Sequence, residues 1–322
     1  MSTITQEELF STEPDSPAGA ENGVAVDLIA VIVAVTSGDP RVLVIDQRAL
    51  PSGPFQVGHR SLQSGLRAWV EHQTRLPLGY VEQLYTFADR DRGGAGGQAI
   101  SISYLGLTRE QRAGGVADAA WGSWYAYFPW EDRRDGAPAM IAGVLEPHLR
   151  RWIFSTRDGG PRERRRQRAA IAFGLDDRPW NEELVLQRYE LLYESGFIAE
   201  AGCDAGEPPD ARGGRWMILD HRRILATGIA RLRAKIKYHP VVFELMPETF
   251  TLLQLQRCVE ALAGRLVHKQ NFRRLIEQQE LVEETGEAAQ DTGGRPAKLF
   301  RFRRAVVAER AVVGTKLPIS RA

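Results

Sequence analysis

Cysteine is scarce in this 322-residue chain, which contains only Cys203 and Cys258, far apart in sequence. Two such residues provide neither a disulfide framework nor the spacing of a metal site, so we expect reduced thiols in a cytoplasmic protein. Long apolar runs are also missing, since the longest, residues 24–35, is too short to span a bilayer and contains Asp27. The sequence therefore predicts no membrane-embedded segment.

The chain as a whole has no large excess of positive or negative charge, because its formal net charge is only +1. Residues 233–304 differ, with 13 Lys and Arg against 9 Asp and Glu. A basic excess confined to one segment favours phosphate binding by that segment alone. Residues 2–22 are acidic and lack the basic segment and apolar core of a secretory signal, so residues 1–22 are predicted to form a disordered tail.

The pattern of the first half predicts a mixed α/β domain over residues 23–150. Two apolar strands, residues 24–35 and 41–45, are separated by Ser37-Gly38-Asp39-Pro40, which is typical of a turn. Residues 61–75 have the apolar spacing of one helix face, and two further strands are predicted at 81–87 and 99–107. An aromatic cluster is expected to close the core: Trp121, Trp124, Tyr125, Tyr127, Phe128 and Trp130.

The middle of the chain is predicted to be a helical connector over residues 151–221. Residues 162–168 form a charge run after Gly159-Gly160-Pro161, which indicates a linker or the exposed start of a helix. A helix is predicted at 182–197, and another at 224–238, which ends before His239-Pro240.

The last third, residues 222–310, has the order of a winged helix-turn-helix. Helices are predicted at 251–263 and 268–279, with Gly264 between them. Two short strands, residues 281–285 and 299–302, follow around a polar loop. Helix, turn, helix and hairpin in this order are typical of a DNA-binding module.

The second helix of this unit carries the residue types that read base edges. Asn and Gln can pair with adenine and Arg with guanine, and the glycines of the hairpin tip allow close approach to phosphate. The alternative is a small helical module with a solvated charged face. The predicted DNA-binding residues are Thr251, His268, Lys269, Gln270, Asn271, Arg273, Arg274, Arg295 and Lys298.

Dispersed short motifs in this last third and just before it, in the same order, resemble those of one family. They are Asp220-His221, Tyr238-His239-Pro240, Phe250-Thr251-Leu252, Leu255-Gln256, Asn271-Phe272-Arg273-Arg274, Gly294-Arg295-Pro296-Ala297 and Phe300-Arg301-Phe302. They are similar to the linker and C-terminal domain of the NrtR family, the Nudix-related regulators of NAD metabolism. The resemblance implies a transcriptional regulator, most often a repressor, built from a Nudix-like sensor and a DNA reader.

The Nudix signature itself is degraded. It reads G-x5-E-x7-R-E-U-x-E-E-x-G-U, and its carboxylates hold magnesium against a pyrophosphate. Counted from Gly53, the signature places His59 at the first Glu and matches Arg67, but of four carboxylates only Glu71 remains, followed by His72. We therefore expect no catalytic residues, no metal and no required cofactor.

Three alternatives stay open at this point. A divergent Nudix pyrophosphohydrolase would need compensating carboxylates, for which Glu82, Asp89 and Asp91 are the nearby candidates. A zinc site formed by His59, His72 and Glu71 is conceivable. The basic C-terminal unit could also bind another protein or RNA.

The likeness to the NrtR family extends beyond the box, through residues 80–87, 89–92 and 101–105. It covers about 1–130 and 217–305, whereas residues 131–216 have no counterpart in the short family pattern. With the degraded box, this is similar to the NadQ-like subgroup, which implies repression of genes of NAD biosynthesis.

The resemblance also implies an adenine nucleotide effector, either NAD, ADP-ribose or ATP. Cationic and aromatic residues would bind its phosphates and stack on its adenine. The candidates are Arg48, Phe55, Arg67, Glu71, Tyr85, Phe87, Arg90 and Arg92. The alternative is that Arg67 pairs with Glu71 and that the aromatic residues are core. A homodimer on a palindromic double-stranded DNA operator is expected, since two recognition helices would then read two half-sites.

Overall fold

The computed structural model describes residues 25–88, 99–111, 118–205, 213–289, 296–303 and 305. The predicted tail, residues 1–22, lies outside these residues. The strands are β1 (Ala25–Thr36), β2 (Asp39–Ile45), β3 (Ser52–Pro54), β4 (Tyr80–Phe87), β5 (Ala99–Leu107), β6 (Ala119–Ser123), β7 (Val282–Ala289) and β8 (Ala297–Phe302). The helices are α1 (Leu62–Thr74), α2 (Glu146–Phe154), α3 (Gly159–Phe173), α4 (Val185–Glu194), α5 (His221–Lys235), α6 (Leu252–Ala263) and α7 (Lys269–Gln278).

A mixed sheet forms the centre of the first half, with strand order β4-β5-β1-β2-β6 and β3 paired to β1. β1 runs parallel to β5 and antiparallel to β2 and β3. Alternate residues of β1 face opposite sides, so Leu28, Ala30 and Ile32 pack under α1, whereas Val31 and Val33 join a larger core. The apolar run of β1 is buried because both faces of its sheet are covered.

The larger core extends from the sheet into the C-terminal half. α5 contributes Ile224, Ile229 and Leu232, and α6 contributes Val259 and Leu262, to the same cluster as the second face of the sheet. Five members of the aromatic cluster are buried in this core as expected, whereas Trp121 is half-buried and packs against the smaller cluster under α1. Helix α5 therefore packs between the sheet and the C-terminal unit. The predicted boundary at residue 222 stays a prediction.

The predicted connector contains two helices that its composition concealed. Residues 162–168 lie within α3, which begins at an Asp158 N-cap and ends at Gly174 with φ +64°. Of the two alternatives for the charge run, the exposed start of a helix is the correct one. α2 precedes it, and the predicted helix 182–197 is confirmed as the shorter α4.

No helix in the described part of the chain has the length and apolarity needed to cross a membrane. Cys258 is buried, and burial raises the pKa of its thiol to about 12.

Candidate functional site

Helices α6 and α7 meet at a turn that buried polar residues hold in place. Gly264 ends α6 with φ +70°, a left-handed conformation that costs glycine no steric strain. After the turn, the Val267 N–H donates to Glu260 Oε1 at 3.0 Å, and the Gln256 side chain donates to the same oxygen at 2.9 Å. Sequence reasoning missed Gln256 and Glu260 as the residues that fix the angle between the two helices. Their spacing of one turn on α6 was the available signal.

Helix α7 exposes the face that was predicted to read DNA. Phe272 and Ile276 are buried, while Lys269, Gln270, Asn271, Arg273 and Arg274 are all exposed, as is His268 before the helix. No side chain caps the first turn, so its backbone N–H groups are available to an anion such as phosphate. The structure therefore brings six of the nine predicted DNA-binding residues onto one surface.

The remaining three predicted residues are placed differently. The Thr251 side chain caps α6 by accepting from the Gln254 N–H at 3.2 Å, and only 7% of the residue is exposed. Lys298 lies within β8 rather than in a loop tip, because β7 and β8 are longer than predicted, and it pairs with Glu284 at 2.8 Å. Arg295 lies outside the described residues.

The hairpin of β7 and β8 is attached to the core by aromatic contacts. Phe302 stacks on Phe243 with ring centroids 4.1 Å apart. Phe300 exchanges two backbone hydrogen bonds with Phe250, at 2.9 and 2.8 Å, just before α6 begins. The hairpin is therefore fixed to the α6 end of the unit and has the position of a wing.

A fully buried ion cluster connects this unit to the rest of the molecule. Glu131 accepts from Arg188 of α4 and from Arg233 of α5, in each case at 2.5 Å, and all three side chains have no exposed area. Burial would raise the pKa of Glu131, but the two guanidiniums outweigh it and hold that pKa below its usual value. Arg233 Nε also donates to Leu262 O at 2.9 Å, at the end of α6. One carboxylate thus joins the sheet domain, the connector and the helix-turn-helix.

The degraded Nudix helix α1 is held by interactions other than those of a metal site. Arg67 donates to the carbonyls of Leu78 and Gly79, so the predicted alternative of an Arg67–Glu71 pair is wrong. His59 Nδ1 accepts from the Gln56 N–H at 3.0 Å. Among the described residues, no cluster of His, Cys, Asp and Glu could hold a metal ion.

The candidate compensating carboxylate Glu82 is engaged elsewhere. It bonds to Lys235 and, at 3.0 Å, to Arg231, both on α5, and to the Tyr80 hydroxyl at 2.5 Å. Burial opposes its ionisation, but these donors hold the pKa of Glu82 below its usual value. Glu82 therefore links β4 to α5. Asp89 and Asp91, the other carboxylates considered, lie outside the described residues.

Only some of the predicted effector residues lie close together in the structure. Phe55 and Tyr85 are 36% and 60% exposed. Phe55 lies at the end of the sheet where β1 starts, because its N–H donates to Val26 O at 2.7 Å. Tyr85 lies towards the same end, because Phe87, two residues further along β4, is in register with Ser101 near the start of β5. Phe87 itself is buried, with the Arg223 guanidinium 5.0 Å from its ring, so the core alternative describes it better.

The cationic candidates are more dispersed. The two terminal guanidinium nitrogens of Arg67, Nη1 and Nη2, donate to backbone carbonyls, which leaves them less suited to phosphate. Arg48 is exposed, with its guanidinium 4.7 Å from the centre of the Trp216 ring, and Glu71 is exposed on α1. Arg90 and Arg92 lie outside the described residues.

Asp27 is a residue that sequence reasoning used only as an interruption of an apolar run. It is in register with Pro54 of β3 and Ser101 of β5, at the same end of the sheet as Phe55. Burial raises the pKa of its carboxyl. An acidic residue inside a strand of apolar residues was the signal that could have marked this end of the sheet.

A groove of about 720 Å³ lies at the opposite end of the sheet. It is lined by residues of the β1–β2 turn, of the segment after β5, of β6 and of the loop before α6: Val35, Thr36, Ser37, Arg109, Glu110, Gln111, Ala119, Ala120, Trp121, Leu245 and Pro247. None of the six predicted effector residues within the described ranges lines it.

Comparison with known proteins identifies the C-terminal unit. Residues 242–302 match the model of the NrtR DNA-binding winged helix domain. The C-terminal unit is therefore similar to this winged helix domain over residues 242–302. This match confirms the resemblance that the motifs around α6 and α7 indicated.

A curated relative supports the same family. The ADPR responsive transcriptional repressor NtrR of Acinetobacter baylyi is 38% identical over 86 residues, which are 27% of this chain. The match spans about a third of the relative's own length, 34%.

Two solved structures share the fold over most of the chain. NrtR of Shewanella oneidensis, in complex with a 27mer DNA, has a TM-score of 0.53 at 19% identity and covers 88% of this chain and 95% of its own. A MutT/nudix family protein from Enterococcus faecalis has a TM-score of 0.53 at 15% identity and covers 93% and 94%. The predicted fold, a Nudix-like mixed-sheet domain followed by a winged helix-turn-helix, is confirmed.

Proposed function

We propose that this chain is a DNA-binding transcriptional repressor of genes of NAD metabolism, controlled by an adenine nucleotide that binds its Nudix-like domain. The observation that carries the proposal is α7, which buries two apolar residues and exposes a continuous row of base-reading side chains. Ten helical residues extend about 15 Å, which suits the major groove of B-DNA. The fold likeness to a structure with bound DNA supports this reading.

ADP-ribose is the first effector to test, because the curated relative is described as ADPR responsive. NAD and ATP share its adenosine diphosphate part and are the next candidates. The exposed aromatic rings Phe55 and Tyr85 are the residues best placed to stack on adenine.

Contacts through α5 suggest how an effector would influence DNA binding. Glu82 of β4 binds Lys235 and Arg231, and the Leu50 N–H donates to His221 Nδ1 at 2.8 Å, so both ends of α5 are attached to the sheet domain. The same helix carries Arg233, which contacts the end of α6. A ligand that prefers one position of α5 would shift the DNA-binding surface.

The Nudix-like domain acts in this proposal as a sensor and not as an enzyme. One exposed carboxylate on α1, Glu71, cannot hold magnesium in the octahedral oxygen environment that pyrophosphate hydrolysis requires. Release of AMP from ADP-ribose in the presence of magnesium, at an enzyme-like rate, would show instead that the chain is a divergent Nudix hydrolase.

The functional unit is proposed to be a homodimer in the cytoplasm. Two copies of α7, about 34 Å apart, would read a palindromic operator one helical turn wide. Sedimentation of the complex with a single duplex would give a ratio of two chains per duplex.

Fluorescence anisotropy tests the proposal directly. A labelled duplex from the promoter of the chain's own gene is titrated with protein at moderate salt, with a scrambled duplex as control, and then with ADP-ribose, NAD and ATP. We expect specific binding and a change in affinity with at least one nucleotide. Equal affinity for both duplexes contradicts the regulator, and indifference to all three nucleotides contradicts the effector.

A further inference from the structure

The helical pair α2 and α3 is the most basic surface of the connector, and the proposed reading of α7 does not use it. Residues 146–173 contain eight arginines and three acidic residues, whereas the whole chain has a net charge of only +1. Such a local excess, in a chain proposed to bind DNA, points to a second contact with a polyanion.

Several of these charges have no acidic partner. Arg150, Arg166 and Arg168 form ion pairs at 2.5, 2.9 and 2.6 Å. Arg162 and Arg165 donate to neutral oxygens, mainly the carbonyls of Thr156 and Trp152, which leaves their charge uncompensated. Within the described ranges, the exposed Arg151, Arg157 and Arg164 have no carboxylate within ion-pair distance. The surface of α2 and α3 therefore keeps a net positive charge, because its ion pairs do not neutralise all of its arginines.

The basic pair is rigidly attached next to the DNA-binding unit. The carbonyl of Ala172, near the end of α3, accepts from Arg188 Nη1 at 2.9 Å, and Arg188 belongs to the buried cluster with Arg233. The segment between α3 and α4 reaches the turn itself, since Glu182 lies 3.6 Å from Arg265. At 1.5 Å per residue, Arg164 is only about 14 Å along α3 from its end.

We propose that α2 and α3 form a second DNA contact surface that binds the phosphates of the duplex flanking the site read by α7. This rests on the proposed function. We expect the contact to be independent of sequence, because arginines that bind phosphates carry no information about base edges. It gives a function to α2 and α3, which the proposed contact of α7 with DNA does not use.

The test replaces two of the unpaired arginines, Arg157→Gln with Arg164→Gln, in the full chain. The matched control removes the same charge from exposed positions of the Nudix-like domain, Arg60→Gln with Arg75→Gln. Binding is measured against salt concentration on a duplex of footprint length and on one extended by about two helical turns on each side. Thermal unfolding verifies that both variants are folded.

On the extended duplex, we expect the slope of log affinity against log salt to fall by about 2 for the test pair, one phosphate contact for each arginine. On the short duplex, and for the control pair on either duplex, the slope should stay unchanged. An unchanged slope for the test pair, or an equal fall for the control pair, overturns the inference without contradicting the proposed regulator function.

If the test pair keeps full DNA binding but loses binding to anionic vesicles, the surface binds a membrane and the inference is again wrong. If the wild-type chain binds neither duplex specifically, the proposed function itself fails.

Discussion

Arg233 and Arg273 are chemically identical side chains that lie in opposite environments. Arg233 is fully buried and its guanidinium is committed to Glu131 and to the end of α6. Arg273 is exposed on α7, beyond the two apolar residues that attach this helix to the core. A buried arginine must satisfy its donors inside the protein, whereas an exposed one keeps them available to a partner. The comparison separates charges that fix the DNA-binding unit in place from charges that can bind DNA.

The largest effect is expected from removing the shared carboxylate by Glu131→Ala. Two buried guanidiniums would lose their partner, which costs on the order of 3–5 kcal/mol of stability. Urea unfolding monitored by circular dichroism measures this. Glu131→Gln keeps the shape and one accepting oxygen, while its amide nitrogen faces a guanidinium donor, so it should be destabilised less than the alanine variant. If the alanine variant loses less than about 1 kcal/mol, the cluster does not stabilise the junction.

On the exposed side of the comparison, Arg273→Ala and Asn271→Ala should leave stability unchanged and weaken specific DNA binding. If either side chain reads a base, the loss is on the order of 1–3 kcal/mol for the specific duplex and smaller for a scrambled one. Fluorescence anisotropy on both duplexes distinguishes the two losses. Gln278→Ala, at the far end of the same helix, serves as a matched control. Unaltered binding by both variants would mean that α7 is not the recognition helix.

The sequence predicted the exposed half of this comparison well. The apolar spacing of residues 251–263 and 268–279 placed α6 and α7 within about a residue of their ends, since that spacing records which face is buried. The buried half was not predictable, because Glu131 lies 57 residues from Arg188 and 102 from Arg233. Charged residues are expected to be exposed, and only the packed structure shows which of them are not.

α3 was predicted only as one of two alternatives, for a related reason. Its first turn contains Gly159-Gly160-Pro161, which indicates a linker, and its apolar face is confined to Ala169, Ala170, Ala172 and Phe173 near the other end. The helix is stabilised by packing on its neighbours rather than by an amphipathic pattern. Similarly, Tyr85 and Phe87 could not be distinguished as exposed and buried from the sequence, because the pairing of β4 with β5 is irregular between Gln83 and Thr86.

The contrast between buried and exposed charges can also be tested by changing pH, because a buried group that ionises makes stability depend on pH. His221 begins α5 and accepts from the Leu50 N–H, and burial lowers its pKa to about 4. In the unfolded chain its pKa is about 6.5, so between these values the unfolded state binds more protons and stability falls as pH falls. The contribution of His221 to the free energy of unfolding is complete above pH 6.5. About 2 kcal/mol of that contribution is lost by pH 5.

The variant His221→Asn isolates this contribution. Its amide oxygen can accept from the same N–H but does not titrate, so the loss of stability between pH 7 and pH 5 should be smaller by about 2 kcal/mol than in the wild type. Urea unfolding at both pH values gives the difference. An equal pH dependence in both proteins would place the titration at other residues.

The smallest effect is expected for Lys298, which is paired like the buried charges that fix the DNA-binding unit and exposed like the charges that can bind DNA. It is paired with Glu284, but its side chain is 69% exposed, so Lys298→Ala should change stability by at most about 1 kcal/mol. As a phosphate contact of the wing, it would weaken binding to specific and scrambled duplexes alike and lower the salt slope by about 1. Glu284→Ala is the matched control, because it removes the same pair and leaves the cation free, so affinity should rise slightly. If both substitutions reduce affinity equally, the pair supports the shape of the hairpin, and Lys298 belongs with the structural charges rather than with the charges that bind DNA.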